Sequence, residues 1–329
     1  MSYNALSSIK KIILCVIFIS NLSLFADWVD HSFPVMGTEV TVRFYLADAS
    51  KAEKARQAVI DEMHRIDATM SPYKKDSLLS KINDQAANKP VKVSREFFNL
   101  IRQANRISEM TNGSFDITFS SVGYLYDYRL KHKPTEQQLK EKLSLINYKA
   151  IVLNAELQTI YYKRKGVNID LGGIAKGLAV DNSIKILKTF GVKEASVTAG
   201  GDTYVLGDNA GKMWRIGIKH PRAKSKLVSI LPLADTAVST SGDYERFFIE
   251  DGQRFHHIIN PTTGKSVTSI QSVTILTDNS TFADALSTSV FVLGVEEGLA
   301  LVESLKNVSV IIVDDHGKMF YSSDLAQPN

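Results

Sequence analysis

Apolar and polar positions alternate from Thr38 to Tyr45, with Val40, Val42 and Phe44 on one side, which predicts a half-buried strand entered from a turn at 33–38. The period then changes. From Lys51 to Met70 the apolar residues Val59, Met63, Ile66 and Met70 recur at helical spacing. From Arg95 to Met110 the residues Phe97, Leu100, Ile101, Ala104 and Ile107 do the same, and Asn112-Gly113 ends that helix. Between the two helices lies Met70-Ser71-Pro72-Tyr73, followed by residues 77–83. A tyrosine directly after a proline is held in a fixed pose, where it either packs or stacks on a flat ligand. Ser114–Thr118 predicts a loop or short strand, residues 135–143 a helix, and Ile151–Leu153 with Thr159–Tyr162 a hairpin. Glu194–Thr198 and Trp214–Ile218 read as further strands.

The centre of the chain is Asn168-Ile169-Asp170-Leu171-Gly172-Gly173-Ile174-Ala175-Lys176-Gly177. The pattern up to Asp170 predicts the end of a strand, and from Ile174 the spacing of Ile174, Leu178, Ile184 and Leu187 predicts a helix. Strand, Gly-Gly turn and helix N-terminus together make a place where backbone N–H groups can face an anion, with Lys176 adding a positive charge. A turn that merely connects strand to helix has the same pattern. Ala199-Gly200-Gly201-Asp202 repeats the Gly-Gly turn at a second strand end.

The last third reads as polar, chemistry-bearing loops. Ser239-Thr240-Ser241-Gly242-Asp243-Tyr244 is rich in hydroxyls, and Phe255–Gly264 predicts a strand entering an Asn-Pro turn. Residues 281–289 open a helix on which Asp284 and Thr288, four apart, share a face. A carboxylate and a hydroxyl beside backbone carbonyls suit a hard cation such as Mg²⁺; an acid near a helix start facing the macrodipole gives the same spacing. There is no Pro/Gly/Ser-rich linker, fixed-period repeat or low-complexity tract.

Composition narrows the class. With 44% hydrophobic and 22% charged residues over 329 positions, the chain is a globular protein long enough for a large core. Its formal charge is +4, and two of the charges, Lys10 and Lys11, lie in the leader, so the remainder carries about +2. That balance does not point to nucleic acid. Lys10-Lys11, the apolar run Ile12–Ile19 and the stretch ending at Ala26 have the layout of a secretory signal peptide, too short to span a bilayer comfortably. The expected organisation is a leader over 1–26 and one domain over 27–329. The single cysteine, Cys15, falls inside the leader. Leu14 before it is not the small residue of a lipoprotein site. Cleavage after Ala26 leaves a chain without thiols, at ease in an oxidising compartment. An uncleaved membrane anchor is the alternative.

Taken together, Met36-Gly37-Thr38, Met70-Ser71-Pro72-Tyr73, Gly113-Ser114-Phe115-Asp116, Asp170–Gly177, Ala199–Asp202, Ser239–Tyr244, His257-Ile258-Ile259-Asn260-Pro261 with Thr263-Gly264, and Ala283–Thr288 resemble the ApbE family of flavin transferases. The motifs occur in the family's order and cover most of residues 33–294. The resemblance implies an α+β fold of ApbE-like (T-fold-like) antiparallel sheets flanked by helices. It also implies an enzyme that binds FAD with Mg²⁺, cleaves its pyrophosphate and attaches FMN to a Thr or Ser of a target flavoprotein, releasing AMP. The acceptor would be a protein such as a subunit of a membrane redox complex, and the location periplasmic or on the outer side of the inner membrane.

Carried over by motif, Met36, Tyr73, the Ser114-Phe115-Asp116 segment, Asp170 and Lys176 would contact FAD. The Gly173 carbonyl, Asp284 and Thr288 would hold Mg²⁺, and His257 would sit near the pyrophosphate. Phosphoryl transfer depends on positioning and charge neutralisation, with a proton acceptor for the attacking hydroxyl, here Asp284 or His257. Three departures stand out: Ile117 where the family often has Pro, Phe119–Gly123 in place of its usual continuation, and Asn260 where it often has Asp, an amide that brings no negative charge for a second cation. Two other functions use the same residues, hydrolysis of FAD to FMN and AMP, and FAD binding without catalysis. A dinucleotide-binding oxidoreductase is disfavoured, because Gly172–Gly177 lacks the Gly-x-Gly-x-x-Gly spacing.

Overall fold

The computed structural model describes residues 28–223 and 225–326. The leader reading over residues 1–26 lies outside the described residues. The frame is an eight-stranded antiparallel sheet: β1 (Trp28–Val35), β2 (Thr38–Tyr45), β3 (Ala195–Ala199), β4 (Asp202–Leu206), β5 (Thr236–Gly242), β6 (Ile270–Thr277), β7 (Ser309–Asp314) and β8 (Met319–Tyr321). They lie side by side in chain order, and every neighbouring pair is antiparallel. Helices α1 (Ala49–Met70), α2 (Arg95–Met110) and α3 (Ala175–Thr189) come from the long connection between β2 and β3, and α4 (Ser280–Leu293) from the one between β6 and β7. This is the α+β arrangement that the resemblance implies.

Helix α3 packs on β3 and β4, α4 on β4, β5 and β6, and α1 on α3. The apolar stripes predicted for α1 and α2 are the faces that enter the core. Alternation puts Val238 and Leu276 on the opposite face of the sheet, where they meet Ile218 of a hairpin formed by Trp214–Lys219 and Leu227–Leu233. All eight residues of β6 are therefore buried. At the end of the sheet where β1 begins, Trp28 meets Trp214 edge to face at 5.7 Å, and the Trp214 indole donates to the Leu206 carbonyl.

Four local readings are corrected. Residues 33–35 continue β1, so the turn into β2 is only Met36-Gly37, with φ of 54° and 70°. Those values suit a two-residue hairpin loop. The segment before Asp170 is not a strand. It runs extended but is held by side chains: Asn83 brackets Ile169, accepting from its N–H and donating to its carbonyl at 2.9 Å each, and Ser121 accepts from Asn168 N–H at 2.9 Å. The hydroxyl-rich residues 239–242 are not a loop but the end of β5, tolerated at the centre of the sheet because the Ser239 and Ser241 hydroxyls find partners on α4 and Asp202 and that of Thr240 on Thr274 of β6. The strand predicted to run from Phe255 into the Asn-Pro turn is Gln253–His256, so His257 lies just outside regular pairing. Ser114–Thr118 resolves as a loop running into a 3₁₀ turn at Ile117–Phe119.

Candidate active site

One end of the sheet gathers the β1–β2 turn, the β3–β4 turn and the end of β5. Glycines let these pieces meet. A Cβ on Gly201 would lie 2.5 Å from the Thr240 carbonyl oxygen, and one on Gly200, at φ +62°, 2.8 Å from Thr38 Oγ1. Helices α3 and α4 touch backbone to backbone in the same way, since a Cβ on Gly177 would stand 2.3 Å from the Ser280 carbonyl oxygen. One turn further along α3, Asp181 accepts from the N–H groups of Ser280 and Thr281 at 2.9 Å each and from the Thr281 hydroxyl at 2.5 Å. Asn279 caps the same helix through Phe282 N–H. The start of α4 is thus clamped to the first turns of α3, which brings Asp284 against Lys176.

Asp284 is 3% exposed and accepts from Gly177 N–H at 3.1 Å. Lys176 Nζ lies 2.5 Å from Asp202 Oδ2 and 3.4 Å from Asp284 Oδ1. Two buried carboxylates thus face one ammonium. Burial and then the neighbouring Asp202 charge raise the Asp284 carboxyl to about 7, although Lys176 and Gly177 N–H oppose the shift. Burial works against the charge on Lys176, but Asp202 and Asp284 outweigh it and its pKa is raised. A buried cluster with surplus negative charge is relieved by a proton on Asp284 or by a further cation.

Hydroxyl groups continue the cluster. Ser239 donates to Asp202 at 2.5 Å, Ser241 lies 2.8 Å from Ser287, and Ser241 lies 3.2 Å from Thr288. A Cβ on Gly173 would be 3.3 Å from Thr288 Oγ1 and 3.4 Å from the Phe115 ring, so the glycine backbone lies directly beside both. The donor set is carboxylate, hydroxyl and the nearby Gly173 backbone, all hard oxygen, with no thiol. It fits a Mg²⁺-like cation.

The two adjacent histidines differ. His256 is 1% exposed, bonds Val267 O through Nε2 at 2.5 Å and accepts from Ile258 N–H at Nδ1. It is structural. His257 keeps a buried Nδ1 without a partner, while its main-chain N–H donates to the Arg246 carbonyl. Burial, then the proximity of His256, Arg246 and Lys176, pushes its pKa down to about 3, so the ring is neutral at physiological pH.

The structure brings Gly173, Lys176, Asp284, Thr288 and Phe115 together. Asp170 starts the same turn, and its carboxylate accepts from Gly172 N–H at 2.6 Å. With Gly177 N–H given to Asp284, two amides of the expected anion cradle are taken by the protein's own carboxylates. Met36 lines a cleft of about 630 Å³ beside the hairpin turn, with residues 32–39 and Asp67. Tyr73 is 80% exposed and free to be covered. Ser114 closes the turn after α2 through its N–H to the Thr111 carbonyl. The Asp116 side chain is spent locally, accepting from Thr118 N–H, Thr118 hydroxyl and Tyr148 N–H at 2.6–2.8 Å. Asn260 accepts from Thr262 N–H at 2.8 Å, a turn that an aspartate would make equally well.

Sequence reasoning gave no role to Asp202, Ser241 or Arg246. The first two stood inside quoted motifs. Arg246, whose guanidinium would lie 3.2 Å from a Cβ on Gly37, carried no local signal at all.

The ApbE family model matches residues 36–312 of this chain. The chain is 34% identical over 304 residues to the FAD:protein FMN transferase of Haemophilus influenzae, covering 88% of this chain and 87% of that protein. It is 31% identical over 312 residues to the FAD:protein FMN transferase of Vibrio cholerae, covering 92% and 93%. Its fold is similar to the crystal structure of the ApbE protein from Thermotoga maritima, with a TM-score of 0.83, 33% identity and coverage of 91% of this chain and 98% of that one. The flavin transferase ApbE from Vibrio cholerae superposes with a TM-score of 0.81 at 29% identity, covering 91% and 98%. From motifs, site and matched length together, the chain belongs to the ApbE family.

Proposed function

We propose that this chain is an FAD:protein FMN transferase. The hydroxyl oxygen of an acceptor Thr or Ser attacks the phosphorus of the FMN half of FAD. The bond from that phosphorus to the oxygen of the AMP half breaks, AMP leaves, and the hydroxyl proton passes to the protein. The observation that carries the reading is the convergence of Asp284, Thr288 and Gly173 around a buried excess of negative charge beside Lys176.

A divalent cation held by Asp284, Thr288 and the Gly173 carbonyl would neutralise the pyrophosphate and the charge developing on the leaving AMP. Lys176, tethered by Asp202, presents a fixed positive charge to the same substrate oxygens. With the cation on Asp284, that carboxylate helps to orient and activate the acceptor hydroxyl, and the proton passes to the neutral ring of His257. His257 would sit near the pyrophosphate, whose charge would raise the basicity of the ring from its free-protein value. The exposed Tyr73 ring stacks on a flat ring of FAD.

The leader sequence supports export, with the enzyme acting on the outer side of the inner membrane on a flavoprotein there. Among the described residues no helix is long and apolar enough to cross a membrane. The test is mass spectrometry of an acceptor fragment incubated with the protein, FAD and Mg²⁺. A mass gain of one FMN on its Thr or Ser, abolished by EDTA, is expected. FMN and AMP accumulating without modified acceptor would show a hydrolase instead, and intact FAD with a competent acceptor would show a binding protein.

A further inference from the structure

The run Ser239-Thr240-Ser241 has a position in the site but no part in the chemistry described so far. Strand alternation sends Ser239 and Ser241 to the face covered by α4, and Thr240 to the other, where its hydroxyl lies 2.9 Å from that of Thr274. On the α4 side a hydroxyl has one proton to give, so the directions follow from keeping the shortest contacts, and the Ser239–Ser287 contact at 3.2 Å then carries no proton. Ser239 gives its proton to the Asp202 carboxylate, which can only accept. Ser287 gives its proton to the Asp284 main-chain carbonyl at 2.9 Å. With that bond kept, Ser241, 2.8 Å from Ser287 Oγ, is the donor to it. What Ser241 has left is acceptor capacity, and Thr288 Oγ1 lies 3.2 Å away. The other acceptor within reach of the Thr288 proton, the Asp284 carbonyl, is at 3.5 Å, the limit of a hydrogen bond. Thr288 thus donates to Ser241, and its lone pairs are left for the side of the Gly173 turn.

We propose that Ser241 is a positioning residue for Thr288: by taking the Thr288 proton, it presents the lone pairs of that hydroxyl to a divalent cation shared with Asp284 and Gly173. The inference rests on the reading of those three residues as a cation site. A hydroxyl with a free rotor would spend part of its time turning its proton toward the cation. The chain Thr288 to Ser241 to Ser287 to the Asp284 carbonyl removes that orientation, and it ends on the backbone of the residue that supplies the carboxylate. The recurrence of serine at alternate positions of a buried central strand then has a reason beyond filling space.

The experiment titrates Mn²⁺ into the protein with FAD present and no acceptor, reads bound Mn²⁺ by electron paramagnetic resonance, and obtains Mg²⁺ affinity by competition. Ser241→Ala is compared with the isosteric pair Ser241→Thr and Ser241→Val, in which only the hydroxyl differs. Loss of one net hydrogen bond predicts metal binding weaker by roughly fivefold to tenfold in Ser241→Ala and Ser241→Val. Ser241→Thr should bind metal more tightly than Ser241→Val by the same factor, with FAD affinity in the absence of metal equal across the series. Equal Mn²⁺ affinity in Ser241→Thr and Ser241→Val overturns the proposal and leaves the cation site standing. No bound Mn²⁺ in the unaltered protein overturns the cation site and the proposal with it.

Discussion

Asp284 is held at a protonation boundary by burial and by the Asp202 charge. Bound metal needs the carboxylate, so proton and metal compete as pH falls through about 7. Apparent Mg²⁺ affinity should be flat above that boundary and fall by up to about tenfold per pH unit below it, as calorimetric titration between pH 6 and 8 would show. Asp284→Asn keeps the shape and loses the charge. It should lower turnover by about 10²–10³-fold while FAD still binds, and full turnover would remove Asp284 from the metal site. Tyr73 lies at the other extreme of exposure. Because the residue is 80% exposed, Tyr73→Ala should leave the melting temperature unchanged and raise the KM for FAD by about tenfold, the loss of one stacking partner. Both residues were legible in the sequence, but only through the company of their motifs. Asp284 and Thr288 at a spacing of four gave a shared face, not a ligand set. Asp116 shows the reverse limit, since nothing local indicated that its carboxylate would be used up holding Thr118 and Tyr148.

At the scale of elements, α3 and α4 act as one clamped pair. The contact of Gly177 with Ser280 and the capping of α4 by Asp181 fix how far Lys176 stands from Asp284. Gly177→Ala inserts a methyl where the backbone of α4 already lies. It should destabilise the protein by about 1–3 kcal/mol in denaturant unfolding and weaken metal binding as well, by prising the helices apart. An unchanged unfolding midpoint would mean the helices yield without cost. The helices α1 and α2 were readable because each has one wet face, and β2 for the same reason. Strands β5 and β6 were not. β6 is buried on both sides and carries no alternation, and β5 trades apolar residues for hydroxyls whose partners lie on distant segments. The segment before Asp170 imitates a strand end because its backbone groups are satisfied by Asn83 and Ser121, which are remote in the chain.

The whole molecule spreads its stability unevenly. Strand β6, covered on one face by α4 and on the other by the 214–233 hairpin, should hold the slowest-exchanging amides. The hairpin Phe247–Glu250 with Gln253–His256, which forms a two-stranded sheet of its own with Phe247 and Ile249 exposed, should exchange faster in the same hydrogen-exchange experiment. The reverse order would place the rigid frame elsewhere. The order of strands could not be read from the chain, because nearly 150 residues separate β2 from its neighbour β3 and no local pattern bridges that gap. The resemblance supplied the architecture, and the residues alone supplied its pieces.

The only two tryptophans, Trp28 and Trp214, touch each other at the end of the sheet opposite the site. Strand β1 runs from Trp28 to the turn that carries Met36, eight residues and so about 26 Å at the rise of an extended strand. Flavins absorb where indoles emit. The indole pair is therefore an intrinsic optical ruler: resonance energy transfer from it to the isoalloxazine should report substrate docking from across the molecule in the unlabelled protein, and its efficiency should decay as the flavin departs on an acceptor.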